Sequence, residues 1–347
     1  MRLAIPTGNP TTLAAEVSYL KSLTDDKLKN YRPAAIGTLA EQLLSIMLTM
    51  CDQSLRPEDE NRDRILASIQ HHIDHGSPIV LTVTFALGIR APNVLKFNEP
   101  ANLPTLGWLH WAWYFDHMNQ KVKAVYAPGI EVVVFEEGSL FGDLFGISTE
   151  AVYQLNRAAR QMFAEFKHLN IRLIPLTTDM FAEASADNVY VPPAVVYAVA
   201  CSLPEMKNRE FFDPIYRNRK RDHEALREME PVSWRHAERI AYRIAECLAW
   251  RKQVGLFDKL LGVPYIDSTV TEKGGRLVLS VTSGVMINHG QPLVHRDTGG
   301  KYSVKIIPES RMYEEHPHAT PVLIAPAEFG MTGSPYTFYY KNGVLPP

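Results

Sequence analysis

Three β-branched runs, separated by segments of helix length, predict an α/β protein with a largely parallel sheet. The runs are 78–85, 131–135 and 171–176, and 108–122 and 149–168 lie between them. Strand–helix–strand–helix–strand order favours parallel strands covered by helices on both faces. Stretches such as Ile79-Val80-Leu81 and Val132-Val133-Val134-Phe135 are apolar without alternation, as strands buried on both faces are. Beyond Gly262-Val263-Pro264 the texture changes to short apolar or alternating segments between Gly- and Asn-containing turns, which reads as further strands. The expectation is a Rossmann-like domain over residues 1–230, with a helical N-terminus. A smaller C-terminal α+β portion over 231–347 is expected to complete the cleft.

The elements follow in order. Residues 11–23 and 35–50 read as helices, the second with an apolar stripe of Leu39, Leu43, Leu44, Met47 and Leu48. The next helix, 57–75, has Pro57 in its first turn, where the missing N–H costs nothing. It ends on His71, His72 and His75. Their spacing is compatible with metal ligands, but a solvent-facing helix end, where cationic side chains suit the dipole, explains them more simply. Strand 78–85, the aromatic-rich helix 108–122, strand 131–135 (ended by Glu136-Glu137-Gly138), helix 149–168 and strand 171–176 come next. A helical zone, 204–261, includes a segment 233–257 with capping Ser233 and the stripe Ile240, Ile244, Cys247, Leu248. Residues 277–281, 302–307 and 322–325 are expected as strands, with antiparallel pairing as one option.

Composition narrows the function classes. The 347 residues are 46% hydrophobic and 21% charged, an ordinary globular mix, with a net charge of −2. The densest basic stretch, Arg217-Asn218-Arg219-Lys220-Arg221, runs into Asp222, Glu224, Glu228 and Glu230 and reads as a solvated helical face. No nucleic-acid partner is implied. Cys51, Cys201 and Cys247 are scattered, so neither a disulfide framework nor a zinc site is suggested. No apolar stretch approaches the roughly 20 residues that span a bilayer, and the start of the chain lacks a signal-peptide core. A cytoplasmic protein without membrane partners is expected.

Open α/β sheets bind ligands beyond the carboxyl ends of their strands. Here that means the loops 86–96, 136–143 and 177–184. There is no P-loop, no GxGxxG and no GxSxG. His295-Arg296-Asp297 has the HxD spacing of iron sites, with His316 and His318 downstream, but no arginine follows Arg311. No metal is expected.

Several spaced signatures rise above this background. They are Arg90-Ala91-Pro92-Asn93-Val94-Leu95-Lys96, Leu103-Pro104-Thr105-Leu106-Gly107, Tyr126-Ala127-Pro128-Gly129, and the run from Glu137-Gly138 through Phe141-Gly142-Asp143 to Gly146-Ile147. In order and spacing they resemble the isocyanide (isonitrile) synthases, the pyoverdine/dityrosine biosynthesis group. Those enzymes carry a basic-x-Pro-Asn-x-x-Lys loop, a Tyr-x-Pro-Gly strand entry and an Asp-Gly-x-x-Phe-x-Asp-x-x-Gly-Val loop. The likeness spans roughly residues 77–330; Arg243 resembles a helix arginine, and 280–281, 301–306 and 320–321 resemble strand pieces. This is a divergent member. Leu-Pro-Asp-x-x-Glu reads Leu103 to Trp108 without either acid, Arg-Leu-Ser-x-His reads Val278 to Thr282, and Thr-Pro-Trp-His reads Thr320 to Leu323.

The resemblance implies joining the α-amine of an amino acid, tyrosine- or tryptophan-like, to ribulose 5-phosphate, whose carbonyl carbon becomes the isonitrile carbon. It implies no metal or redox cofactor, and an iron/2-oxoglutarate oxygenase as a downstream partner. Arg90, Lys96 and Arg243 are candidates to anchor the phosphate, with Asn93 beside them, or they are solvated surface cations. Asp143 and Glu137 are candidates for acid/base work, or Asp143 caps a turn. Trp108, with Trp111, Trp113 and Tyr114, lines a substrate pocket or belongs to the core. The rival functions are a same-fold enzyme condensing a different amine with a phosphosugar, favoured by the lost acids, and a non-catalytic binding homologue.

Overall fold

The structure, a computed structural model, describes residues 37–49, 59–85, 100, 102–136, 149–176, 256–267, 280–282, 285–286, 290–296, 302–308, 312–316, 318–331, 333 and 335–342. The expected helix 11–23, the three cysteines and most of the helical zone 204–261 lie outside these residues.

Helix α1 (Leu39–Leu48) opens on a capping box. Thr38 Oγ1 accepts from the Glu41 N–H, and Glu41 Oε2 accepts from the Thr38 N–H at 2.7 Å. Helix α2 (Asp59–His75) leads into strand β1 (Ile79–Phe85), and α3 (Leu106–Lys123) links it to β2 (Ile130–Glu136). Helix α4 (Thr149–Phe163) then leads to β3 (Asn170–Pro175). Much later, α5 (Leu256–Leu261) and the two-residue β4 (Ile266–Asp267) return to this sheet. Its order is β3-β2-β1-β4, and every pairing is parallel. The α/β expectation holds, and β2, with its continuous Val132-Val133-Val134-Phe135 run, is interior and buried rather than at an edge.

The strands β5 (Ser280–Thr282) and β6 (Val285–Met286) form an antiparallel pair. A second sheet contains β7 (Gly290–Arg296), β8 (Tyr302–Pro308), β9 (Ala319–Ile324) and β10 (Thr337–Asn342), in the order β8-β7-β10-β9. It is mixed: β7–β8 and β9–β10 are antiparallel, whereas β7–β10 is parallel. A short helix, α6 (Met312–Glu315), precedes β9. The expected boundary near residue 230 lies outside the described residues. Residues 266–267, expected in the C-terminal portion, pair with β1.

The two sheets meet through α3. Thr105, just before it, bridges to Phe338 of β10, and Ile324 and Tyr339 of the second sheet, with Met331 between β9 and β10, belong to the main hydrophobic cluster. Every residue of α3 from Leu106 to Phe115 is buried, which is what a helix covered on more than one face requires. The aromatic run is therefore satisfied by packing, with Trp111 against Phe115 and Phe163 at ring separations of 4.8 and 5.6 Å.

The amino end of the parallel sheet is closed by a polar clamp. Gly129, at φ +73°, lets the chain turn into β2 with its Cα close against Asn119 and Lys123. Asn119 Oδ1 accepts from the Ile130 N–H at 2.9 Å, and its Nδ2 donates to the His168 carbonyl at 2.7 Å. The Tyr126 hydroxyl lies 2.8 Å from both the His72 and Ser77 carbonyls. His72 itself is buried, not solvent-facing as its helix-end position suggests; Nε2 donates to the Pro264 carbonyl at 2.8 Å, and Nδ1 lies 2.9 Å from Ser77 Oγ. His71 stacks on His75 instead, and no group of three metal-ligating side chains occurs among the described residues.

Candidate active site at the carboxyl end of the parallel sheet

The order β3-β2-β1-β4 places a reversal between β1 and β4, because the chain runs β1 to β2 to β3 in one direction and adds β4 on the other side. Ligands of open α/β sheets bind outside the carboxyl ends at such a reversal. At this end β1 stops at Phe85, in register with Glu136, the last residue of β2. The loop carrying Arg90, Asn93 and Lys96 follows the first, and the loop carrying Glu137 and Asp143 follows the second. These five residues and Arg243 lie outside the described residues.

Two buried carboxylates are described here, Glu136 level with the end of β1 and Asp267 level with Thr82, three residues deeper in the sheet, and sequence reading singled out neither. Glu136 is 1% exposed, and its Oε2 accepts from Asn156 Nδ2 of α4 at 3.2 Å. Asp267, the last residue of β4, is equally buried, and its Oδ1 accepts from the Thr82 hydroxyl at 3.3 Å. Strand alternation separates the pair. Phe135 stacks on Phe257 of α5 at 3.8 Å and 3°, so Glu136, the next residue, faces the α4 side of the sheet. Thr82 pairs in register with both Val133 and Asp267, so Asp267 shares the face of Phe135. Buried carboxylates are tolerated only with compensating hydrogen bonds, so both positions are specialised.

A signal for Glu136 was present in the sequence. In Glu131-Val132-Val133-Val134-Phe135-Glu136, a charge closes a run that is apolar on both faces. The adjacent Glu137-Gly138 motif drew attention away from it. Asp267 had no such signal, because a two-residue strand has no period.

Of the expected site residues, only Trp108 and its helix neighbours Trp111, Trp113 and Tyr114 are described, and all four are in the main core cluster. Trp108 is 5% exposed at the third position of α3. The Thr105 side chain caps that helix, accepting from the Trp108 N–H at 3.4 Å. Positions 105 and 108 are thus N-cap and N3, where aspartate and glutamate would form a capping box. The Asp-to-Thr departure keeps the cap, and the missing glutamate is a missing half of a helix-end device. His295 and Arg296 belong to strand β7, and His318 is exposed before β9. A cavity of about 360 Å³ lined by Arg160, Phe163, Phe166, Leu169, Ile171 and Leu173 sits at the amino end of β3, away from the strand ends discussed here.

Comparison with known proteins points to one family and one fold. Residues 112–227 match the family described as pyoverdine/dityrosine biosynthesis protein. An L-tryptophan isonitrile synthase from Fischerella ambigua is 24% identical over 124 residues, which is 36% of this chain and 36% of that protein. An L-tyrosine isonitrile synthase from Pseudomonas aeruginosa is 28% identical over 137 residues, 40% of each chain. The matched region thus spans well under half the length of either relative. The crystal structure of the PvcA protein from Pseudomonas aeruginosa superposes with a TM-score of 0.55 at 19% identity, covering 88% of this chain and all of that one. That likeness concerns the fold.

Proposed function

We propose that this chain, a member of the pyoverdine/dityrosine biosynthesis family to which the isonitrile synthases belong, converts the α-amine of an amino acid into an isonitrile. Ribulose 5-phosphate supplies the carbon. The observation that carries this reading is topological: the two loops bearing the family-like signatures leave neighbouring strands at Phe85 and Glu136, residues in register at the ligand-binding end of the sheet.

In this reading the chemistry divides between the loops. Arg90, Lys96 and Arg243 hold the phosphate as fixed cations, with Asn93 as a polar partner. The amine adds to the sugar carbonyl and water leaves as the imine forms. Asp143, with Glu137 beside it, moves the protons that this addition and the later eliminations require. Trp108 supports the pocket wall from the buried face of α3. The cap at Thr105 weakens the case for a different amine, since the lost acids lie at a helix end.

The test is incubation with ribulose 5-phosphate and a mixture of all amino acids, read by mass spectrometry. An isonitrile product dependent on both substrates is expected. Formation of a stable sugar–amine adduct with no isonitrile would favour the alternative condensation. Replacing Lys96 by Met should weaken sugar-phosphate binding by about 1.5–3 kcal/mol, the range for a hydrogen bond to a charged group. Asp143→Asn should lower turnover by roughly 100-fold or more while leaving Tm in place. Near-normal turnover in that variant would assign Asp143 to capping.

A further inference from the structure

We propose that Glu136 and Asn156 receive the hydroxyl groups of the sugar phosphate, holding the polyol while its phosphate is held by other residues. This rests on the reading of the strand ends as a phosphosugar site and adds two side chains to it.

The first support is an unmet acceptor. Asn156 is 7% exposed, its Nδ2 donates to Glu136 Oε2, and its Oδ1 has no hydrogen-bond partner. Buried side-chain carbonyls nearly always find a donor, so an orphan beside a carboxylate marks the place where an outside donor is to arrive. The contact to Glu136 fixes the amide orientation, because the reverse would set two acceptors against each other.

The second support is position. In sheets that run 3-2-1-4, phosphate sits at the turn after the first strand and an acidic residue after the second takes ribose hydroxyls. Glu136 ends the second strand, level with the end of the first. No glycine-rich phosphate loop is present, so a dinucleotide is not the ligand, but the same division of labour suits a smaller phosphosugar.

Chemistry selects among possible donors. A carboxylate and an amide oxygen side by side match two neighbouring O–H groups, each able to donate. A phosphate dianion has no O–H to donate to the open Asn156 oxygen. An amine would be held here as its ammonium, which has no lone pair with which to attack a carbonyl. Hydroxyls satisfy the acceptors without bringing in a charge.

Calorimetric titration of the full chain separates these cases, with ribulose 5-phosphate, inorganic phosphate, L-tyrosine and L-tryptophan as probes. Glu136→Gln should raise the Kd for ribulose 5-phosphate by about 10- to 100-fold and leave the other probes within about twofold. Asn156→Ala, which spares the carboxylate, should raise it by about three- to tenfold and covers the case in which the first variant fails to fold. Unchanged ribulose 5-phosphate binding in the folded variants overturns the inference. So does an equal loss for inorganic phosphate, or a loss confined to the amino acids. A wild-type chain that binds no ribulose 5-phosphate overturns the phosphosugar reading itself, whereas wild-type binding matched by Glu136→Gln removes only this inference.

Discussion

His72 shows how one side chain ties distant parts of the chain together. Its ring joins the end of α2 to Ser77 and, 192 residues on, to Pro264 just before β4. Burial pushes its pKa below the ordinary 6.5, with His71 and His75 adding repulsion, while the Pro264 carbonyl and Glu131 oppose the shift. The unfolded chain therefore binds the proton more readily than the folded one. Stability supplied by neutral His72 is complete above about pH 6.5 and is lost as pH falls through the lower folded value. Urea denaturation at pH 7.5 and 5.5 should show a larger loss for wild type than for His72→Gln; equal losses would remove His72 as the cause. Gly129 gives a second residue-scale expectation. A Cβ there would meet Asn119 Oδ1 at 2.5 Å and Lys123 Cε at 2.7 Å in a left-handed backbone, so Gly129→Ala should cost about 1–3 kcal/mol or more in thermal unfolding. A variant as stable as wild type would show that the clamp yields freely. Both residues explain why the Tyr126 to Gly129 signature was legible without revealing its role: it builds the amino end of the sheet, opposite the strand ends at which the site is proposed.

Helix α3 carries the lesson for elements. Its aromatic run was visible in the sequence, but whether it lined a pocket or filled a core depended on what covers it. That is decided by β7 and β10, residues far away in the chain. The sequence reading starts it at 108, and the structure at Leu106, where the Thr105 cap gives the Leu103-Pro104-Thr105 signature its physical meaning. Thr105→Ala should destabilise the protein by about 1 kcal/mol, whereas Thr105→Ser keeps the acceptor and should stay within a few tenths. Paired denaturation curves would decide this, and equal curves for Ala and Ser would deny the cap. Strands β1, β2 and β3 were readable because burial on both faces leaves continuous β-branched runs. Strand β7, Gly290-Gln291-Pro292-Leu293-Val294-His295-Arg296, carries a proline and three polar side chains and shows no such run. Strand β10, Thr-Phe-Tyr-Tyr-Lys-Asn, has the aromatic content of a strand and lies outside the expected strands.

At the scale of the molecule, the return of the chain to β1 matters most. A C-terminal portion over 231–347 that completes the cleft is the expectation, and Ile266 and Asp267 within it pair with Leu81 and Thr82 of the first sheet. A fragment ending at residue 255 would lack α5, β4 and the second sheet, leaving β1 as an unpaired edge, Phe135 without its stacking partner and α3 without Ile324 and Tyr339 in its core. Such a fragment should aggregate or unfold without cooperativity. A soluble fragment with the Tm of the full chain would make the return dispensable. The same pairing sets a timetable for synthesis. Thr82 and Asp267 are 185 residues apart, so at about 5–20 residues per second roughly 10–40 s separate the emergence of β1 from that of its neighbour. Over that interval a nascent β1 has one open edge, and yield in a producing cell should respond to chaperone supply and translation speed.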